Sequence, residues 1–178
     1  MTMENKVSDT RSPEPWLRGT LTEVPAVPRA VLHALQLANE NIEHWCAGLT
    51  DAELNVRPAG IAPVAFHVRH IARSLDRLLT YAEGNPLTPE QWIALRTELD
   101  PAAAGPELWA EFALAIENSA ARVRAFDIEA LEQPRRIGKQ QLPTTLGGLL
   151  VHVADHTQRH VGQAITTAKV ALAGRKQG

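Results

Sequence analysis

Three histidines, His152, His156 and His160, recur at intervals of four in the run HVADHTQRHVGQ that ends at Gln163. In a helix that spacing stacks the imidazoles on successive turns of one face. A second pair, His67 and His70, lies far upstream in another helical stretch. One histidine from one helix and an H-x-x-x-H pair from another supply three ligands to a divalent metal and leave coordination positions open. Open positions are what a catalytic metal needs. Three neutral imidazoles suit Zn, Ni, Fe or Mn. Water completing the sphere would have a lowered pKa and act as hydroxide near neutral pH. A soft thiolate could take the same place and be presented as a nucleophile. The run is not H-E-x-x-H: Thr157 stands where a zincin carries its glutamate base, which argues against that kind of proteolysis.

Helices must position these groups. The first 26 residues are polar and punctuated by Pro13, Pro15 and Pro25, and read as a flexible, extended N-terminal arm anchored by Trp16 and Leu17. Residues 27–178 read as the folded domain. A first helix is expected over residues 28–47, with Leu32, Leu35, Ile42 and Trp45 on its apolar face. Residues 49–61 read as a connector. A second long helix starts near Pro63 and stops at Gly84, a suitable residue just past a helix end. Thr88-Pro89-Glu90-Gln91 spells a capping box with proline at the first helical position and opens a short helix to about Leu99. A third long helix is expected over 105–126, with Leu108, Trp109, Phe112, Ile116 and Val123 inward. Residues 132–142 show no periodicity. Pro143 with Thr144 or Thr145 starts the last helix, which carries the histidine run to about Ala173. Four amphipathic helices and short extras imply an all-α, four-helix up-and-down-type bundle.

On the last helix, Leu146, Leu150, Val153, Thr157 and Ala164 share one direction at about 100° per residue. His160 sits at the edge of that stripe, His156 and His152 progressively further out, and Gln163 shares their flank. The histidines therefore line the seam between core and cleft, where bundle metal sites are built. On the second long helix the stripe is Val64, Val68, Ile71, Leu75, Leu78 and Leu79. His67 lies near its edge and His70 well off it, so periodicity favours His67 as the inward residue. Plainer readings stand beside these: solvated or hydrogen-bonded histidines on amphipathic helices, with no metal.

Other groups carry less. Gln163, Ser74, Tyr81 and Asp155 are candidates to orient a ligand, since a ligating histidine hands its second nitrogen to a carboxylate, carbonyl or water. Asp155 and the Asp76-Arg77 pair read more simply as surface charge. Arg135, Arg136 and Lys139 could rim a site for an anionic substrate, or belong to a solvated loop. His33 and His44 lack partner spacing. Cys46 reads as a small buried hydrophobe with no nucleophilic role. Gly147 and Gly148, in the first turn of the last helix, cost helix stability and suggest close approach there.

The stretches AFHVRHIARSLDRLLTYAEG and LPTTLGGLLVHVADHTQRHVGQ resemble the DinB/YfiT-like superfamily of metal-binding four-helix bundles, and LTDAELNVRPAG and PWLRG fit too. The resemblance covers most of the chain. It implies a metal held by one histidine of the second helix, mapping onto His70, and by the two histidines before Gly-Gln, mapping onto His156 and His160. His67 and His152, one turn before each, become supporting groups or alternative ligands. The family often has arginine directly after the last histidine; here Val161 holds that place and Arg159 precedes His160. The resemblance also implies activity on a small molecule, as a hydrolase or as an S-transferase using a low-molecular-weight thiol as cosubstrate. The rival from another class is a non-enzymatic, stress-linked metal-binding or interaction protein.

Composition narrows the field. At 178 residues with a net charge of −2, the chain is long enough for one proper core and has no basic block suited to nucleic acid. No apolar run reaches membrane-spanning length, and the start lacks a signal-peptide pattern. One cysteine excludes an internal disulfide framework. The expectation is a soluble, cytoplasmic protein; a homodimer is compatible with the arm and the exposed helix faces.

Overall fold

Apolar residues spaced for helix close into a bundle of four long helices. The computed structural model describes residues 12–100 and 105–173. Its elements in chain order are α1 (Ala26–Cys46), α2 (Asp51–Asn55), α3 (Val64–Ala82), α4 (Pro89–Arg96), α5 (Gly105–Ala125), β1 (Pro134–Ile137), β2 (Leu142–Thr145) and α6 (Leu146–Ala173). α1, α3, α5 and α6 form the bundle. α6 packs along both α3 and α1, and α5 along α3.

The stripes read from the sequence are the core. Val64, Val68, Ile71, Leu75 and Leu79 of α3 face Leu146, Leu150, Val153, Thr157 and Ala164 of α6, all buried. Leu32, Leu35 and Ile42 of α1 and Leu108, Phe112 and Val123 of α5 complete it. A fully buried leucine contributes roughly 1.5–3 kcal/mol, so this seam is stiff enough to hold side chains at its edge in fixed positions.

Local chemistry sets the ends. α3 stops where Gly84 turns to φ +84°, a conformation that costs glycine little. Thr88 accepts the Gln91 N–H and Gln91 Oε1 accepts the Thr88 N–H, the capping box expected for α4. The 49–61 connector contains α2, opened by a second capping box in which Glu53 answers Thr50. Five residues are too few for a periodic signal, which is why the pattern was not seen in the sequence.

Several expectations are corrected. Residues 132–142, read as irregular, contribute to a β-hairpin in which β1 and β2 run antiparallel with Arg136 opposite Pro143. Pro143 therefore lies in a strand and α6 begins at Leu146; Thr145 caps it by accepting the Gly148 N–H at 3.1 Å. Strands this short, each with a proline, offer no alternation to read. Trp16 and Leu17 do not anchor the N-terminal segment: they are 60% and 57% exposed. Pro15 is buried there, and Arg18 grips Glu40 of α1 through two bonds of 2.6 and 2.7 Å. Of the glycine pair at the start of α6, Gly147 meets the loop before the hairpin and Gly148 the hydroxyls of Thr144 and Thr145 in β2, rather than another helix. The Gly147 N–H donates to the Leu131 carbonyl at 2.8 Å, and a Cβ at that position would stand 3.2 Å from the same oxygen. The first 11 residues of the proposed arm lie outside the described residues.

Candidate metal centre

α3 and α6 meet where their histidines fall. His70, His156 and His160 each offer a ring nitrogen such that all three atoms lie within 4.8 Å of one another. His70 Nε2 and His156 Nε2 approach to 2.9 Å. The rings of His70 and His160 are 4.3 Å apart between centroids, and those of His156 and His160 are 4.6 Å apart. All three residues are half-buried at the seam. His156 and His160 reach the same point because four residues advance α6 by about one turn; His70 reaches it from across the helix pair.

The far nitrogens are held. His70 Nδ1 lies 2.7 Å from Glu98 Oε2, and Glu98 Oε1 accepts from Arg77 Nη1 at 2.5 Å. His67 Nδ1 and His160 Nδ1 are 3.1 Å apart and share one proton between them, one donating and the other accepting. That leaves Nε2 of His160 for the cluster. Phe66 covers the group: its ring stacks on His70 at 5.4 Å and meets His67 and His160 edge-on. Among the described residues His156 Nδ1 is buried without a partner.

The electrostatics favour the neutral form of His67, His156 and His160. Burial, and then the charge a protonated His70 would bring, push His67 and His156 down to about 4 and His160 down to about 3. At pH 7 these three residues therefore carry no proton on one nitrogen each, the form in which imidazole binds metal. Burial by itself would raise the Glu98 carboxyl; hydrogen bonds from His70 and Arg77 outweigh it and hold the carboxyl below its usual range.

This donor set fits a late divalent metal. A tetrahedral ion with bonds of about 2 Å places its ligand nitrogens about 3.3 Å apart. The 2.9 Å between two of the nitrogens and the 4.8 Å bound on all three lie on either side of that spacing. Two of the three rings have their second nitrogen fixed by another side chain, as ligating histidines ordinarily do.

The remaining candidates fall elsewhere. His67 is buried and His70 is the more exposed, so periodicity gave the burial correctly, but the inward ring faces His160 from behind while His70 faces the cluster. His152 is exposed and touches only the rim, its ring 5.3 Å from that of His156. Gln163 is exposed and, with His67, Arg159, Thr166 and Thr167, lines a cavity of about 620 Å³ on the His67 side of His160. Tyr81 follows His70 by 11 residues, about 16 Å along α3, where it packs against the core. Ser74 donates to the Ile71 carbonyl within its own helix. Asp155 pairs with Arg159 on the surface. Arg135 donates to the Ala82 carbonyl at the end of α3 and Lys139 sits over the Trp92 ring, so that cationic group braces the hairpin and α4. His33 is buried against Thr20, and Cys46 is fully buried, its thiol pushed up to about 12 by desolvation.

Glu98 was missed. It lies in the turn 97–99 just beyond the end of α4, outside any periodic stretch, and nothing in the sequence distinguishes it from the other carboxylates. Of the described residues, no helix is long and apolar enough to cross a membrane. No curated protein matches the chain. A family model, the DinB superfamily, matches residues 34–164, a span that contains His67, His70, Glu98 and the whole histidine run of α6. The match covers well over half of the chain, and the protein belongs to the DinB superfamily.

Proposed function

We propose that His70, His156 and His160 hold one divalent transition metal, Zn, Ni, Fe or Mn, and that the protein is a metal-dependent enzyme acting on a small molecule. The carrying observation is the convergence of three imidazole nitrogens within 4.8 Å at a half-buried seam. When bound, such a metal supplies Lewis acidity to a water or to the sulfur of a low-molecular-weight thiol, the two routes being hydrolysis and S-transfer. The chain's own part is positional. Glu98 and His67 hold the far nitrogens of His70 and His160. Phe66 shields the ring faces from water. The adjoining cavity offers a small molecule the side chains of Gln163, Thr166 and Arg159 as hydrogen-bonding groups. The non-enzymatic reading, a metal-binding stress or interaction protein, differs in needing no such space beside the metal.

The test is metal content by inductively coupled plasma mass spectrometry on untagged protein prepared without chelator, with His70→Ala, His156→Ala and His160→Ala in parallel. About one metal per chain, lost in each variant and kept in His67→Ala, is the expected outcome. Protein that stays metal-free after reconstitution with all four metals would leave a helical bundle with a polar seam. Metal-loaded protein is then assayed for ester or amide hydrolysis and for thiol transfer; inactivity in both would favour the non-enzymatic reading.

A further inference from the structure

Glu98 is nearly fully buried, yet it lies on no bundle helix. α3 brings it in. Arg69, itself buried, donates through Nη1 to the carbonyls of Glu98 at 3.0 Å and Asp100 at 2.9 Å. Arg73, one turn on, donates to the Ala94 carbonyl and to Thr97 Oγ1, both at 2.8 Å. Arg77, one turn further, takes the Glu98 carboxylate. Three arginines at intervals of four thus form a ladder on α3 that fastens the chain after α4, and the carboxylate so fixed ends on His70 Nδ1.

We propose that Glu98 is the positioning residue of the metal centre, holding the proton of His70 on Nδ1 so that Nε2 presents its lone pair to the cluster. The claim rests on the metal-site reading above and adds to it a carboxylate and its support. A carboxylate accepts and cannot donate, so the nitrogen facing Glu98 must carry the hydrogen. In the neutral ring the other nitrogen is then bare. The same contact turns the ring toward His156 and makes its free nitrogen more basic. Without Glu98 the proton could sit on either nitrogen, and half the tautomers would present N–H where a lone pair is needed. Arg77 contributes by balancing the buried charge, which would otherwise be costly. His160 has its far nitrogen against another imidazole, that of His67, rather than a carboxylate, so the two helices hold their ligands by different means.

The experiment reads histidine tautomers by long-range ¹H–¹⁵N correlation on the metal-free protein, and Zn affinity by competition with a chromophoric chelator. Wild-type protein should show His70 protonated on Nδ1; protonation on Nε2 overturns the proposal with no variant needed. Removing Glu98 alone would leave Arg77 buried and unpaired, so the variant is Arg77→Met/Glu98→Leu, which exchanges the ion pair for apolar groups. It should lose the fixed His70 tautomer and bind Zn 10–100-fold more weakly. Arg77→Met/Glu98→Gln, which restores an acceptor, should recover the tautomer and part of the affinity. An unchanged tautomer in the Leu variant, or Zn affinity within threefold of wild type, would make Glu98 a mere counter-ion for Arg77 and sink the proposal. Should wild-type protein bind no Zn, the metal reading fails, while the tautomer measurement still decides whether Glu98 holds His70.

Discussion

Among the arginine–carboxylate pairs of α3 are two systems that distance alone cannot tell apart. Arg77 meets Glu98 at 2.5 Å; Arg122 of α5 meets Asp76 of α3 at 2.9 Å and Glu83 at 2.6 Å. Exposure separates them. The side chains of Arg77 and Glu98 are 10% and 6% exposed, whereas Asp76 is 52% exposed. In water the attraction is screened and offset by the hydration each group gives up, leaving about 0–1 kcal/mol. Away from water the pair itself contributes little net stability, but loss of one partner strands a charge in a poor solvent. The buried system is therefore one where single changes are severe and paired changes mild, and it is the one that touches the histidine cluster.

The sharpest way to break that comparison is Glu98→Ala by itself. We expect a loss of about 3–5 kcal/mol, read by urea unfolding, because Arg77 remains buried without a partner. The paired replacement Arg77→Met/Glu98→Leu should leave metal-free stability near that of wild type. Similar losses in the single and paired variants would show that the carboxylate's other contacts dominate.

A smaller effect is expected from pH. His67, His156 and His160 have folded-state values of about 4, 4 and 3, below the ordinary histidine value that applies in the unfolded chain. The unfolded state therefore binds more protons as pH falls. The stability these neutral rings confer is fully present above the unfolded value of about 6.5 and is lost as pH drops towards the folded values near 4. The unfolding midpoint of metal-free protein should fall steadily between pH 6.5 and pH 4. A midpoint flat across that window would mean that the rings open to water before they titrate.

The smallest effect belongs to the exposed pairs. Asp155→Asn breaks the contact with Arg159, one turn away on the surface of α6, and should cost under about 0.5 kcal/mol with metal content unchanged. A loss above about 1.5 kcal/mol, or loss of metal, would remove the distinction between buried and exposed pairs on which the comparison rests.

The fold was legible wherever a signal repeats. α3 and α6 each present a period-3.6 stripe, and both stripes are buried where the spacing placed them except at Leu78, which is half-buried. The capping box at Thr88 was legible because it is a local bargain between a backbone and two side chains. The hairpin was not, being four residues a side with a proline in each strand. The site divides in the same way. His156 and His160 share a helix face by arithmetic. His67 and His70 were not separable by periodicity, which pointed to His67, whose ring faces His160 from behind; the resemblance pointed to His70, the ring that lies with His156 and His160.

The sequence by itself determined the helices, the stripes that bury them and the four-residue interval that puts two histidines on one face, because each depends on neighbours within a turn or two of the same chain. Only the tertiary structure decided that His70 would face His156 across the α3–α6 seam, and that Glu98, 28 residues beyond His70, would close on its other nitrogen. Those contacts depend on where a connecting segment lands after the bundle has packed. The arginine ladder that secures it gains its bonds only once α4 lies against α3.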